Sequence, residues 1–328
     1  MIKPEDVEFH AVPEAHRESW AETNYFPFWI PEVGISGAAY TVFRPGLGVC
    51  LSDITIFDHC AFSWEGLAYT DNQQHIPCPA SLSHYSLRNG LEVKVLNAPR
   101  DYRIDYLGID DTELHFTFHG LMRPQDFNDP DQDPLARRKG LGGAWDKAFA
   151  GHFDMTGKVD GALKLRGVTH RFTCLATMDH SWGPRLERDN GSAVFIQAHF
   201  GDDLSVNALM ALDPSDMSRF GPVLHGYVMR SGNVRALVAG EGRTERSSLR
   251  PDRFALTVED EDGAHFALSG HFETWAPWAP YVSVLYYQGM VQWLHDGRIG
   301  TGAFQEVVSR ASIARFTLAR QGIIGRSI

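Results

Sequence analysis

Between Ala176 and Gly191 the sequence reads ATMDHSWGPRLERDNG, which sets Asp179, His180, Ser181, Trp182 and Arg185 within seven positions. An acid beside an imidazole can move protons, a guanidinium can hold an anion, and an indole can wall off water. β-type residues (Phe172, Cys174, Thr177) lead into the group, so strand geometry decides which side chains can act together. If TCLATMDHSW stays extended, alternation puts Cys174, Ala176, Met178, His180 and Trp182 on one face and Leu175, Thr177, Asp179 and Ser181 on the other. Asp179 and His180 then point apart and are not a simple dyad unless the strand breaks there. A carboxyl held in an apolar barrel shifts toward its neutral form and becomes a competent proton donor near neutral pH. The structural alternative is that Asp179 hydrogen-bonds a turn while Trp182 closes a barrel end beneath Arg185.

The elements that must position these groups are β almost throughout. ELHFTFHG alternates strictly, with Leu114, Phe116 and Phe118 on one face and His115, Thr117 and His119 on the other. SAVFIQAHF and LSVNALMAL flank the turn GDD, LHGYVMR and NVRALVA flank SG, and RFALTV and HFALSGHF flank EDEDG. GMVQWLH and RIGTGAFQEVV meet at Asp296-Gly297, and Asn89-Gly90 marks a hairpin before LEVKVLNA and YRIDYLGI. Short strands with closely spaced turns predict an all-β chain: two consecutive lipocalin-like antiparallel β-barrels or strongly curved sandwiches, divided as 1–175 and 176–328. Helical signal is confined to 141–152 and 311–322. The Pro-, Asp- and Asn-rich stretch 122–140 reads as a long loop, either a cover over a site or a solvated linker.

Composition bounds the partners. A chain of 328 residues, 43% hydrophobic and 22% charged, can bury a substantial core. Its formal charge of −11 repels phosphate backbones, which argues against nucleic acid. No apolar run approaches the ~18 residues of a membrane helix. The polar N-terminus and four cysteines without CxxC spacing fit free thiols in the cytoplasm, and nothing speaks against a homodimer. Aromatics reach 12%, with Trp275, Trp278 and Trp293 near Tyr281, Tyr286 and Tyr287; such interiors suit bulky apolar ligands, though they also simply fill cores.

The remaining motifs are weak. His115 and His119 sit four residues apart on a strand, about 13 Å, too far to share one metal. No HxH, HExxH or paired-cysteine spacing is present, so the sequence predicts no metal. GLGGAWDK and GRIGTG lack the setting of phosphate loops, no G-x-S-x-G occurs, and no bound cofactor is expected.

The stretch MDHSWGPR, preceded by GHFDMTGKVDGALKLRGVTHRF, resembles the junction motif of the carotenoid 1,2-hydratase (hydroxyneurosporene synthase) and AttH-like superfamily of lipocalin-related proteins. More narrowly it resembles a bacterial two-domain branch with the pattern D-H-S-W-G-x-R. LHGYV, with His225-Gly226, and DGRIGTGAFQEV, with Glu306, are similar to the same branch; Phe153-Asp154 departs from it, since Glu-Gln would follow His152. The resemblance implies two lipocalin-like barrels with a pocket between or inside them. It also implies members that hydrate alkenes, dehydrate alcohols or guide cyclisations without metal or organic cofactor. Carried over by motif, Asp179 would donate and accept the proton, His180 would partner or orient it, and Trp182 would form a wall. Arg185 would form an ion pair or grip an anionic part of a substrate.

The expectation is a cofactor-independent lyase adding or eliminating water, or another small neutral fragment, on a bulky apolar or aromatic molecule, phenols included. Trp182 and Tyr287 would stabilise developing positive charge, by roughly 0.5–2 kcal/mol each. His119, Gln197, His225 and Glu306 lie on strands from which they could reach the interior. An isomerase or cyclase shaping a polyene, and a non-catalytic carrier of lipid or terpenoid, are the alternatives.

Overall fold

A computed structural model describes residues 1–137, 148–185, 192–212, 216–246, 249–279 and 284–320. The first sheet holds β1 (Trp20–Ile30), β2 (Ile35–Arg44), β3 (Val49–Phe57), β4 (Tyr69–Pro77), β5 (His84–Ser86), β6 (Leu91–Asn97), β7 (Asp101–Leu107), β8 (Glu113–Gly120), β9 (Gln125–Asp126), β10 (Gly151–Leu165) and β11 (Val168–Pro184). Their order is β4-β3-β2-β1-β11-β10-β8-β7-β6-β5, with β9 paired to β10, and among the described residues the two ends do not meet. This half curls without closing.

The second sheet holds β12 (Ala193–Phe200), β13 (Leu204–Leu212), β14 (Arg219–Arg230), β15 (Asn233–Arg246), β16 (Pro251–Asp260), β17 (His265–Phe272), β18 (Ala276–Trp278), β19 (Val284–His295) and β20 (Arg298–Ser309). Pairing of β17 with β19 closes eight of these strands into a barrel. The all-β, two-barrel expectation therefore holds, with one member open. Ser231-Gly232 and Asp296-Gly297 turn two of the hairpins with positive φ at both residues, 47° and 82° in the first and 47° and 76° in the second, the geometry that matches strand twist.

Alternation builds the outer strands: on β8, Leu114, Phe116 and Phe118 are fully buried while His119 is exposed. Strands β1, β2, β12 and β13 are buried along nearly their whole length, as is β20 from 302 to 308, because one face meets its own core and the other meets the opposite sheet. Both cores are filled with side chains. In the closed barrel Phe254 stacks on Phe304 at 4.0 Å and Trp275 on Tyr287 at 5.6 Å. Polar bonds cross between the sheets: Gln197 accepts from Thr177 N (3.1 Å) and donates to Thr177 O (3.0 Å). Ser36 meets Thr274 at 2.6 Å, Thr156 meets Tyr227 at 2.8 Å, and Trp278 Nε1 donates to Asp53 at 3.0 Å. Each satisfied pair contributes about 1 kcal/mol and fixes how the sheets face one another.

The sequence sets the junction at 175/176; β11 continues in the first sheet to Pro184 and β12 opens the second at Ala193. Of the helix expected over 141–152, Ala148 is helical, whereas Gly151 and His152 open β10; residues 141–147 lie outside the described residues. The C-terminal helix is present as Arg310–Arg320, and 321–322 lie outside, as does Tyr281. Of 122–140, two pieces pack inward: β9 pairs with β10, and Leu135 joins the barrel core, while Asp131 and Arg137 are exposed. No described helix is long and apolar enough to cross a membrane.

Candidate active site

Strand β11 divides the chemistry of the opening motif between two faces. Tyr25 and Asn24 of β1 stand opposite Asp179 and His180 respectively, and Asp154 and Phe153 of β10 stand opposite the same pair on the other side. Asp179 and Ser181 face the second sheet; His180 and Trp182 face the first core. Gly183 permits the motif's end, since its φ of 147° and the approach of Ala148 O to 2.5 Å of an added Cβ exclude a side chain.

On the Asp179 side lies a narrow pocket of about 70 Å³ between the sheets. Tyr25, Tyr40, Phe149, Phe195, Trp278, Tyr286 and Val307 supply its apolar walls, and Thr23, His152, Asp179, Ser181, Arg185 and Gln305 its polar groups. A larger open groove on the outer face of the barrel, lined by Arg219, Glu241, Arg243, Thr257 and Ser269 among others, lacks such a cluster of convergent acid and imidazole groups.

Among the described residues none donates a hydrogen bond to the Asp179 carboxyl. Burial pushes its pKa up to about 7, with Asp154 adding to the rise and His152 and Arg185 opposing it. Burial and the Asp179 charge also raise the Tyr25 phenol, which accepts a 2.5 Å hydrogen bond from Gln305 Nε2. Arg185 Nη2 donates to Ser181 Oγ at 2.8 Å, Ser181 shares a 2.7 Å bond with Thr23, and the guanidinium lies 4.3 Å over the Phe149 ring.

Behind the pocket runs a buried relay. His152 Nε2 stands 3.0 Å from Asp154 Oδ1, leaving Nδ1 without a partner among the described residues. Asp154 Oδ2 accepts from Asn207 Nδ2 at 2.8 Å and lies 3.5 Å from His225 Nε2; His225 Nδ1 meets Asp133 Oδ2 at 2.5 Å. Burial alone would lower the His225 pKa, but Asp133 and Asp154 raise it to about 9. Burial likewise opposes ionisation of Asp154, yet His152 and His225 hold it well below the ordinary carboxylate range.

The other residues singled out in the sequence fall in different places. His180 is buried on the reverse of β11, 2.9 Å from Thr23 O, with burial lowering its pKa to about 4. Trp182 stacks there on His10, centroids 3.7 Å apart. His225 stands two residues behind the pocket in the relay, and Gln197 clamps the sheets. His119 is exposed on β8 beside Asp101. Tyr287 and Glu306 point into the closed barrel rather than the pocket, because they alternate with Tyr286 and Gln305, which do line it.

Glu306 is fully buried and paired with Arg246, whose guanidinium also donates to Met217 O, Thr244 Oγ1 and Leu249 O. Burial raises the Glu306 pKa against the pull of Arg246. Glu306→Ala strands a buried guanidinium and is expected to cost about 3–5 kcal/mol in urea unfolding. Ligand affinity at the pocket should not change; an affinity loss in protein that remains folded would return Glu306 to the site.

The sequence reading gives no role to Tyr25, His152, Asp154 or Gln305, although the last three lie in stretches that carry the resemblance. The available signal was His152-x-Asp154, two polar groups at strand spacing, which a helical reading of 141–152 concealed.

Solved structures of similar fold are distant in sequence. CghA, in a crystal structure with Sch210972, matches with a TM-score of 0.57 at 11% identity, over 89% of each chain. Kievitone hydratase from Nectria haematococca matches at 0.52 and 10%, over 89% of this chain and 88% of that one. An AttH-like protein from Nitrosomonas europaea matches at 0.55 and 15%, over 94% and 96%. No curated protein matches by sequence. Residues 3–309 match one family along nearly the whole two-sheet unit, and the chain belongs to that family, described as Domain of unknown function (DUF7064).

Proposed function

We propose that the chain is a lyase that adds water to, or removes it from, a bulky apolar or aromatic molecule bound between the two sheets, using side-chain acid–base chemistry. The observation that carries this reading is the placement of Asp179 and His152 together in an aromatic-walled pocket. The carboxyl has no described donor, and the imidazole is oriented from behind by Asp154.

In the hydration direction, Asp179 in its neutral form gives its proton to one alkene carbon. Positive charge develops on the other, over the faces of Tyr25, Tyr286 and Trp278. A water oxygen bonds to that carbon and its proton passes to His152 Nδ1; transfer from His152 to Asp179 restores the starting state. Dehydration is the reverse. Arg185 and Ser181 offer hydrogen bonds to a substrate oxygen, which suits a phenol or alcohol as well as a hydrocarbon. Likeness in fold to a protein named kievitone hydratase supports the reaction class.

The test is incubation of the purified protein with a panel of prenylated phenols, kievitone included, and isoprenoid alkenes, followed by mass spectrometry in ¹⁸O-water. A product heavier by one labelled water supports the reading. A rearranged or cyclised product of unchanged mass favours a shape-driven isomerase, and tight binding without any product favours a carrier.

A further inference from the structure

We infer that His10, Glu22 and His180 form a binding site for a divalent transition-metal ion with the preferences of zinc, on the face of β11 opposite the pocket. The three residues come from the segment before β1, from β1 itself and from β11, and their donor atoms all lie within 4.8 Å of one another. Glu22 Oε2 stands 3.1 Å from His10 Nδ1 and 3.8 Å from His180 Nε2. Donors bound at about 2.1 Å to one ion stand roughly 3–3.5 Å apart, so Glu22 needs shifts of only a few tenths of an ångström toward each imidazole, while the two imidazole nitrogens, within 4.8 Å of each other, close by at most about 1.5 Å. Two imidazoles and one carboxylate leave coordination positions for water.

Each donor is already oriented. Glu22 Oε1 accepts from Trp20 Nε1 (3.1 Å) and the His10 backbone N–H (2.9 Å), which turns Oε2 toward the imidazoles. His180 Nδ1 faces Thr23 O at 2.9 Å and Asn24 Oδ1 at 2.7 Å; a backbone carbonyl only accepts, so Nδ1 carries the hydrogen and Nε2 presents a lone pair. That nitrogen is buried, with the residue 2% exposed, and no described residue donates to it. A lone pair directed at a carboxylate oxygen is repulsive unless positive charge lies between them.

His10 completes the arrangement from the outside. Its ring lies flat on Trp182, 10° from parallel, and its Nε2 faces Asp6 Oδ1 at 3.7 Å. A carboxylate behind a histidine is the usual support for a metal-ligating imidazole. With a side chain 21% exposed, His10 also leaves the site reachable from solvent. An ion here ties the segment before β1 to β1 and β11, directly behind Asp179. Positions 10, 22 and 180 form no spacing motif, so the sequence alone predicts no metal.

The test uses full-length protein without a histidine tag, stripped by chelator and dialysed, titrated with Co²⁺ by visible absorption and then with Zn²⁺ in competition. One ion per chain at micromolar affinity or tighter is expected. Glu22→Gln keeps the acceptor for Trp20 and His10 while removing the charge, and should weaken binding by about tenfold or more. His10→Ala, at a half-buried position, should do the same and carries the test if Glu22→Gln does not fold, folding being checked by circular dichroism. Natively folded wild-type protein that takes up neither ion at millimolar concentration overturns the inference, leaving only a His10–Glu22 hydrogen bond. Unchanged uptake by a folded variant overturns it equally, since the ion then binds elsewhere.

Discussion

Asp179→Asn is expected to lower turnover by about 10²–10⁴-fold while ligand still binds, because an amide keeps the shape of the carboxyl but cannot give up and recover a proton. The effect should be large because no other described carboxyl lines the pocket. Its strand neighbour His180 is on the other face, Glu306 is inside the closed barrel, and Asp154 is engaged with His152, Asn207 and His225. His152→Gln should lose a smaller factor, since water can accept the second proton from an activated intermediate. The measurement is kcat and Kd for each variant on a compound that the wild type hydrates. Turnover unaltered in Asp179→Asn would remove the carboxyl from the mechanism, and lost binding with unaltered kcat would make it a docking group instead.

Asp154→Ala is expected to destabilise the fold by about 3–5 kcal/mol, the cost of breaking a buried charged network from its centre. Asp154 is the hinge of that network: it orients His152, accepts from Asn207 across the sheet interface and faces His225, itself held by Asp133. Stability should follow pH accordingly. His225 has a folded pKa of about 9, above its ordinary 6.5, so its contribution is fully present below about pH 6.5 and is lost as pH rises through 9. Asp154 lies below its ordinary 3.8, so its contribution is present above about pH 4 and is lost as pH falls through the lowered value. The network is therefore most stabilising between roughly pH 4 and 6.5. Urea unfolding across this range should show an alkaline decline in the wild type that flattens in His225→Gln. The same decline in that variant would assign it to other groups.

How far the sequence could be read depended on whether a strand has a solvent side. On β8, where one face is exposed, alternation alone gives both the strand and its buried side. Over 284–291 of β19 and 302–308 of β20 no residue is exposed, so the pattern there carries no sign of which face meets the opposite sheet. Tyr287 and Glu306 were accordingly favoured where Tyr286 and Gln305 line the pocket; one residue along a strand reverses the face. Within MDHSWGPR the relative faces of Asp179 and His180 were legible because alternation is local. Their surroundings were not, since Asp154, Asp133 and His225 meet only through tertiary packing. Whether a pocket lies between or inside the barrels was equally beyond the pattern; both cores are filled and the space beside Asp179 lies between the sheets.

A crystal structure of the protein with a bound compound that it turns over, or with its unreactive saturated analogue, tests the central claim most directly. The account predicts the compound between Trp278, Tyr286 and Tyr25, with a reacting carbon within about 3.5 Å of an Asp179 carboxyl oxygen. A compound seated instead in the outer groove beside Arg219 and Glu241, with the space at Asp179 unchanged, would contradict it.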